Sequence, residues 1–366
     1  MRIVFDAFWW NEGPTSLRHV LREIVIAWSR CFPEDELTLV TRRRGAQDPG
    51  DVPAGVTVVT SSLRPQALLA GFGVEPVRRR LGYDAVITHN FAARSAGVSA
   101  VYLHDVLFET NPEWFTPRER AYFSFMTRWI RRADIVFSSS ATEGARIAAN
   151  ARPRVVVPVG LGLSSELVAS SEHRAVDGLE PGRFLLTVGR LNVRKNLERT
   201  IRAALATDQL TPSSPLVLVG AGEDSAFTSS PVIRDAVRHG TVRFTGHVTD
   251  AELRWLYAQT RIFLFLSLGE GFGMPPVEAD HFGAPLLVSD LPVLRENLGD
   301  SARYVDPLDE GAIAEAIRHF TPVAGAPGRA AARHEWTATV SRMREALAGR
   351  LPAWKAPDRP AGEAGR

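Results

Sequence analysis

Short apolar, β-branched runs alternate with helix-patterned segments along almost the whole chain, and no other feature restricts its fold as much. The runs are RIVF at 2–5, LTLV at 37–40, VTVV at 56–59, DAVITH at 84–89 and SAVYLHD at 99–105. Later come RFLLTVG at 183–189, PLVLVG at 215–220, VRFTG at 242–246, RIFLFLS at 261–267 and APLLVS at 284–289. A strand covered by helices on both faces reads as such a continuous run, whereas a half-solvated strand alternates. Strands separated by helices predict parallel, doubly wound α/β sheets.

About ten strands in 366 residues fit two sheets better than one. The expected fold is therefore two Rossmann-like doubly wound domains facing a central cleft, with the ligand between the strand ends. The weakest stretch for regular structure, LGLSSELVASSEHRAVDGLEPG at 161–182, holds the boundary. We place an N-terminal domain at 1–167 and a C-terminal domain at 168–333. A helix at 334–350 is expected to return to the N-terminal domain, ahead of a disordered tail at 351–366. No internal repeat is visible.

Hydrophobic residues at 45% and charged ones at 23% exclude a disordered or collagen-like chain. Cys31 stands alone, so no internal disulfide is available and a reducing, cytoplasmic location is expected. No apolar run is long enough for a spanning helix, and MRIVFDAFWWNEG is no secretory signal, its apolar stretch being too short and its acid too early. A net charge of +2 argues against a nucleic-acid partner. The basic residues are 41 arginines and two lysines, Lys195 and Lys355. Arginine and lysine are not interchangeable at tight anion sites, which draws attention to a lysine inside a motif.

The densest segment is SLGEGFGMPPVEADHFG at 267–283, following the strand RIFLFL. Gly269, Gly271 and Gly273 permit unusual backbone and close approach to a ligand. Pro275 and Pro276 suit the first turn of a helix whose free N–H groups favour an anion such as phosphate. Glu270 falls in the loop and Glu278 in the helix, and carboxylates accept hydrogen bonds in pairs from sugar or ribose hydroxyls. A plain glycine turn and helix start would carry the same residues. The second segment is VGRLNVRKN at 188–196, again after a strand, where Arg190 and Lys195 would bring two cations to one strand end, as a diphosphate needs. A solvated basic loop is the competing reading.

Together the two segments resemble the retaining, nucleotide-sugar-dependent glycosyltransferases of family 4, which have the GT-B fold of two Rossmann domains. The E-x7-E motif of that family matches Glu270 and Glu278 in EGFGMPPVE, and its Gly-Arg…Lys-Asn motif matches Gly189, Arg190, Lys195 and Asn196. Further likeness runs through GHVTDAELRWLY at 246–257, ADIVFSSSATEGARIA at 133–148 and the helix starting near Trp336, covering roughly 1–350. The resemblance implies that Arg190 and Lys195 clamp the donor diphosphate. It implies that Glu270 holds donor-sugar hydroxyls beside the backbone N–H groups of Gly271, Phe272, Gly273 and Met274, and that Glu278 binds the ribose. It also implies no metal and no cofactor, and the Asp-x-Asp motif of the other major glycosyltransferase fold is absent from the sequence.

In the N-terminal half, Gly13 in WWNEGPTSLRHVL takes the place of the family's glycine-rich first loop, which often has two adjacent glycines. His104, ending the strand AVYL ahead of Asp105, resembles the histidine that family members place beside the reacting sugar; a backbone-satisfying role is the alternative. His89 ranks below it. Gly220, in Gly220-Ala221-Gly222-Glu223, starts like a dinucleotide fingerprint without its third glycine, so it reads as a turn lining the nucleotide. In TPRERAYFSFMTRWIRRAD at 116–134, Thr116 and Glu119 form a capping-box pattern. Tyr122, Met126, Trp129, Ile130 and Ala133 share one face, while Phe125 lies among Arg118, Arg128 and Arg132. A core helix with a solvated basic face is the leading reading, and peripheral contact with an anionic membrane the other.

The resulting expectation is transfer of a hexose, mannose from GDP-mannose by overall likeness, to a hydroxyl acceptor on a cell-envelope or lipid-linked glycan. Glucosyl, N-acetylglucosaminyl or rhamnosyl transfer from UDP- or dTDP-sugars is the alternative, as is a sugar-nucleotide epimerase on the same fold. The family's front-face substitution implies that the leaving diphosphate takes the acceptor proton and that no enzymic nucleophile is needed.

Overall fold

The computed structural model describes residues 1–43, 51–190, 192–220, 230–323 and 328–351. Ala221, Gly222 and Glu223 and the expected tail beyond 351 lie outside them. Two parallel sheets organise the chain, as the sequence predicts. The first contains β1 (Arg2–Ala7), β2 (Glu36–Arg42), β3 (Thr57–Ser61), β4 (Ala85–His89), β5 (Val98–Leu103), β6 (Ile135–Ser138) and β7 (Val156–Pro158), in the order β3-β2-β1-β4-β5-β6-β7. The second contains β8 (Leu185–Val188), β9 (Leu216–Val219), β10 (Val242–Gly246), β11 (Ile262–Phe265), β12 (Leu286–Ser289) and β13 (Ala302–Val305), in the order β10-β9-β8-β11-β12-β13. Central strands such as AVITH and IFLF are buried at every position, which is why they read as continuous apolar runs.

Three strands escape the sequence reading. β7 and β13 are outermost in their sheets and short, with the exposed residues Pro158 and Arg303 among their few positions. β6 follows the helical turn Ile130–Arg132 after only two residues, so nothing in the pattern separates strand from helix.

Parallel pairing throughout sends the C-terminal ends of all strands in a sheet to one edge. The final helix, Trp336–Ala348, buries Trp336, Val340, Met343 and Leu347, a spacing that makes one continuous helical stripe. That stripe packs on the Thr15–Cys31 helix of the first domain. Trp336 Nε1 donates to Leu163 O at 2.7 Å and Arg342 to Val159 O at 2.8 Å, tying the helix to the strand-to-strand crossing. Among the described residues no helix is long and apolar enough to cross a membrane. The helix Pro117–Trp129 begins with the capping box at Thr116 and Glu119 and leaves Phe125 exposed.

Asp35 joins both ends of the fold. Its buried carboxylate accepts from Trp28 Nε1 at 3.0 Å and from Arg344 Nε and Nη2 at 2.8 and 2.9 Å. Burial alone would raise its pKa, but the bonds from Arg344, from the N-terminal ammonium of Met1 and from Trp28 outweigh that and hold it below the usual carboxylate value. Asp35→Ala leaves Arg344 without its main partner and is expected to cost about 3–5 kcal/mol, read by denaturant unfolding. Because the folded pKa is depressed, this contribution is present above the unfolded value and disappears as pH falls through the folded one. The Asp35→Ala difference should therefore shrink in acid, and a constant difference down to pH 2 would contradict the assignment.

Candidate functional site

Where the two sheet edges meet, the loop after β11 is pressed between the domains. Gly273 has φ +89°, a conformation open to glycine, and the helix Met274–His281 starts directly after it with Pro275 and Pro276 in its first turn. A Cβ on Gly271 would lie 2.9 Å from His104 O and 3.1 Å from Asp105 Cβ, and one on Gly269 would lie 2.9 Å from the Trp114 ring. Gly269 and Gly271 thus give room to the opposite domain's chain. Ser139 and Ser140 donate to Gly271 O at 3.0 and 3.2 Å, and Arg146 Nη1 donates to Glu270 O at 3.2 Å. Glu296 accepts from Ala141 N and Thr142 N at 2.6 and 2.8 Å, capping the helix Ala141–Ala151 from the other domain.

This packing places Glu270 at the floor of the cleft. Its carboxylate accepts from Lys195 Nζ at 2.7 Å, and Arg194 Nη1 lies 3.7 Å away. Burial would raise the Glu270 pKa, yet the charges of Lys195 and Arg194 overcome it and keep the group ionised. Burial lowers the Lys195 pKa, with Glu270 opposing the shift. Lys195 ends the short 3-10 turn Val193–Lys195, which Asn192 caps by accepting from Lys195 N. Gly189 makes space for the lysine, since a Cβ there would fall 3.1 Å from Lys195 Cε.

The other predicted residues divide by role. Arg190 is exposed beside the loop, and the second cation at Glu270 is Arg194, which the sequence reading passed over. Asn196, in a left-handed conformation, donates from Nδ2 to Pro307 O at 2.7 Å and is structural. A Cβ on Gly220 would lie 1.9 Å from Gly189 O, so that glycine lets two loops meet. Gly13 has φ +119° and lies under the Trp9 ring, where a Cβ would be 2.0 Å from a ring carbon. Phe272 is buried with its ring 5.2 Å from that of His334, and Met274 opens the helix.

Glu278, half-buried on the Met274–His281 helix, accepts from Tyr257 Oη at 3.0 Å. Burial raises its pKa to about 7, with the Tyr257 bond opposing and the Asp250 charge adding to the shift. Tyr257, on the helix Asp250–Gln259, is a partner that the sequence analysis does not single out.

Across the cleft, His104 joins a buried group of rings. Its ring centroid is 4.9 Å from that of Tyr102 and 5.8 Å from that of His89. His89 Nδ1 and Nε2, His104 Nε2 and Tyr102 Oη have no hydrogen-bond partner among the described residues. Burial lowers the His89 pKa to about 4, and burial together with His89 pushes His104 well below its usual value, so both imidazoles are neutral near pH 7. Beneath them Glu143 accepts from Val106 N at 2.9 Å and pairs with Arg146. Its burial, opposed by Arg146 and aided by Asp105, raises its pKa to about 8. A cavity of about 490 Å³ lies elsewhere, between Glu23, Cys31, His281 and Trp336, and includes none of the predicted site residues.

Residues 170–321 match the family described as "Glycosyl transferases group 1". The chain is 29% identical over 230 residues to O-antigen chain mannosyltransferase B of Escherichia coli, covering 58% of each chain. It is 31% identical over 150 residues to O-antigen chain mannosyltransferase RfbU of Salmonella typhimurium, covering 41% of this chain and 42% of that one. The chain thus spans about half the length of these curated relatives. Among solved structures, Anabaena Alr3699/HepE in complex with UDP and glucose superposes with a TM-score of 0.64 at 18% identity, covering 95% of this chain and all of that one. The two facing parallel sheets are those of the GT-B fold.

His89 tests whether the ring cluster is kept for stability. A buried polar atom without a partner costs about 1–3 kcal/mol. His89→Phe fills the same space without polar nitrogens and is expected to unfold at the wild-type temperature or above it. A loss of more than about 2 kcal/mol would mean that the imidazole is hydrogen-bonded in solution and structural.

Proposed function

We propose that this chain, whose residues 170–321 form a group 1 glycosyl transferase domain, is a retaining glycosyltransferase that moves a hexose from a nucleotide-diphosphate sugar to a hydroxyl acceptor. The observation that carries the reading is the buried Lys195–Glu270 pair at the meeting of both sheet edges. A charge removed from water is expensive, and a cleft that keeps both signs within 2.7 Å is built for a ligand with an anionic end and a hydroxyl-bearing end. Lys195 and Arg190 receive the diphosphate, Glu278 the ribose diol, and Glu270 the sugar hydroxyls. His104, neutral and beside the Gly271 loop, donates to or accepts from the reacting sugar.

In the transfer, the bond from the anomeric carbon to the phosphate oxygen breaks while the acceptor oxygen bonds to that carbon on the same face. The acceptor's proton passes to the departing diphosphate oxygen. Lys195 and Arg190 stabilise the negative charge that grows there, so the reading assigns no metal to the step. Mannose from GDP-mannose is the donor we assign, because the two curated relatives described above are named as mannosyltransferases, and a growing cell-envelope glycan is the acceptor. We place the enzyme in the cytoplasm, with Phe125 and the exposed Arg118, Arg128 and Arg132 meeting the membrane that carries a lipid-linked acceptor.

The deciding experiment is thermal unfolding against GDP-, UDP- and dTDP-sugars, with chelator present. Donor at about 100 times its dissociation constant stabilises by roughly 2.7 kcal/mol, a shift of a few degrees. GDP-mannose is expected to give that shift, and Lys195→Ala to abolish both the shift and transfer while circular dichroism stays native. No shift with any donor, or full transfer by Lys195→Ala, would sink the reading.

Glu278 adds a pH signature. Its carboxylate form accepts from the ribose diol, and its pKa of about 7 means that this form is lost as pH falls. Binding of a sugar nucleotide, whose diphosphate does not titrate in this range, should weaken up to about tenfold from pH 8 to pH 6. Glu278→Gln should bind with a flat profile, and an unchanged slope in that variant would assign the titration elsewhere.

A further inference from the structure

Two cations and two acids meet at the cleft floor. Lys195 is bonded to Glu270, and Arg194 Nη1 sits 3.7 Å from Glu270 and 3.9 Å from Asp105. The lysine is enclosed on its other sides, its Nζ 4.3 Å from the centroid of the Phe265 ring and its stem against Gly189. Arg194 differs, because both its ion pairs are long and its guanidinium makes no hydrogen bond among the described residues. Five N–H donors in a fixed fork are thus held at the site without a bidentate acceptor, the arrangement that a phosphate oxygen pair fills. A carboxylate presents the same acceptor chemistry in a smaller form.

We infer that Glu270 occupies, as a built-in anion, the diphosphate site formed by Lys195 and Arg194, and that donor binding exchanges partners. The diphosphate takes the two cations, and Glu270 is released to the hydroxyls of the donor sugar. Arg194 becomes a binding residue of the site, deeper than Arg190. The inference rests on the donor reading above.

The exchange has a consequence for selectivity. A sugar nucleotide supplies both halves, phosphate for the cations and hydroxyls for the displaced carboxylate. A nucleoside diphosphate supplies only the first half and leaves Glu270 buried without a partner, which is costly. The site therefore favours donor over the diphosphate product, and return of Glu270 to Lys195 helps to expel that product after transfer.

The test is calorimetric titration of the full chain with GDP and UDP, with the corresponding monophosphates, and with GDP-mannose and UDP-glucose. Removing the competing charge in Glu270→Gln is expected to tighten the bound nucleoside diphosphate about tenfold or more. Glu270→Ala should do the same, which guards against a glutamine that keeps the lysine bond. Monophosphate binding should change less, and the preference for sugar nucleotide over diphosphate should shrink by a similar factor. Arg194→Gln should weaken the diphosphate in an otherwise wild-type chain. If the diphosphate binds wild type, is lost in Lys195→Ala and is unchanged or weaker in both Glu270 variants, the exchange is wrong while the donor reading stands. If Arg194→Gln binds like wild type, Arg194 does not belong to the site. If neither diphosphates nor sugar nucleotides bind any variant, the donor reading falls and this inference with it.

Discussion

The Lys195–Glu270 ion pair is the contact on which the cleft's arrangement depends. Each partner is buried by its own loop, the lysine after β8 and the glutamate after β11, and β8 and β11 are neighbours in the second sheet. Parallel pairing puts both loops at the same edge, so the two charges meet without long-range adjustment. Desolvation acts against each charge separately, and each partner's charge opposes that effect at the other. The pair also anchors the Glu270 loop where the first domain closes on it, so the backbone of Gly271 can receive Ser139 and Ser140.

That closure combines backbone and small polar residues with the Trp114 ring set against Gly269. Gly271 meets His104 and Asp105, the serines bond its carbonyl, and Glu296 caps a helix across the gap. Such contacts are short-ranged and directional, so they hold a defined closed geometry yet release when shifted by an ångström or two. The permanent link between domains lies elsewhere. Trp336, Met343 and Leu347 are buried against the first domain, and Arg344 is bonded to Asp35. The fold thus has a hydrophobic junction at the final helix and a more polar one at the cleft.

The sequence made the α/β architecture and most of its strands legible because strands buried on both faces leave continuous apolar runs. It concealed the short outer strands β7 and β13, whose few residues mix exposed and buried positions. Glu270 and Lys195 were legible because each follows a strand in its loop, and Glu278 because it stands on the proline-started helix directly after the Glu270 loop. Arg194 was not, since one arginine among 41 carries no pattern and only the geometry shows that it, and not Arg190, faces Glu270. Glu143 and Tyr257 were hidden for a related reason. Each sits on the inner face of a helix, where one sequence offers no means to tell a functional polar group from a core position until its partner is seen.

The two sides of the cleft differ in electrical character, and the difference follows from their solvation. At the Glu270 loop of the second domain a charge is kept by pairing, since Lys195 and Arg194 hold Glu270 ionised, whereas burial raises Glu278 to about 7. On the first, burial prevails: His89 and His104 are held neutral and Glu143 is raised to about 8 despite its arginine. A neutral wall of imidazole and phenol donors recognises hydroxyls without attracting phosphate, whereas a wall of lysine and arginine attracts phosphate wherever it is presented. In the reading proposed above, the phosphates go to the cations after β8 and the neutral imidazoles after β4 and β5 face the reacting sugar from the other side of the cleft.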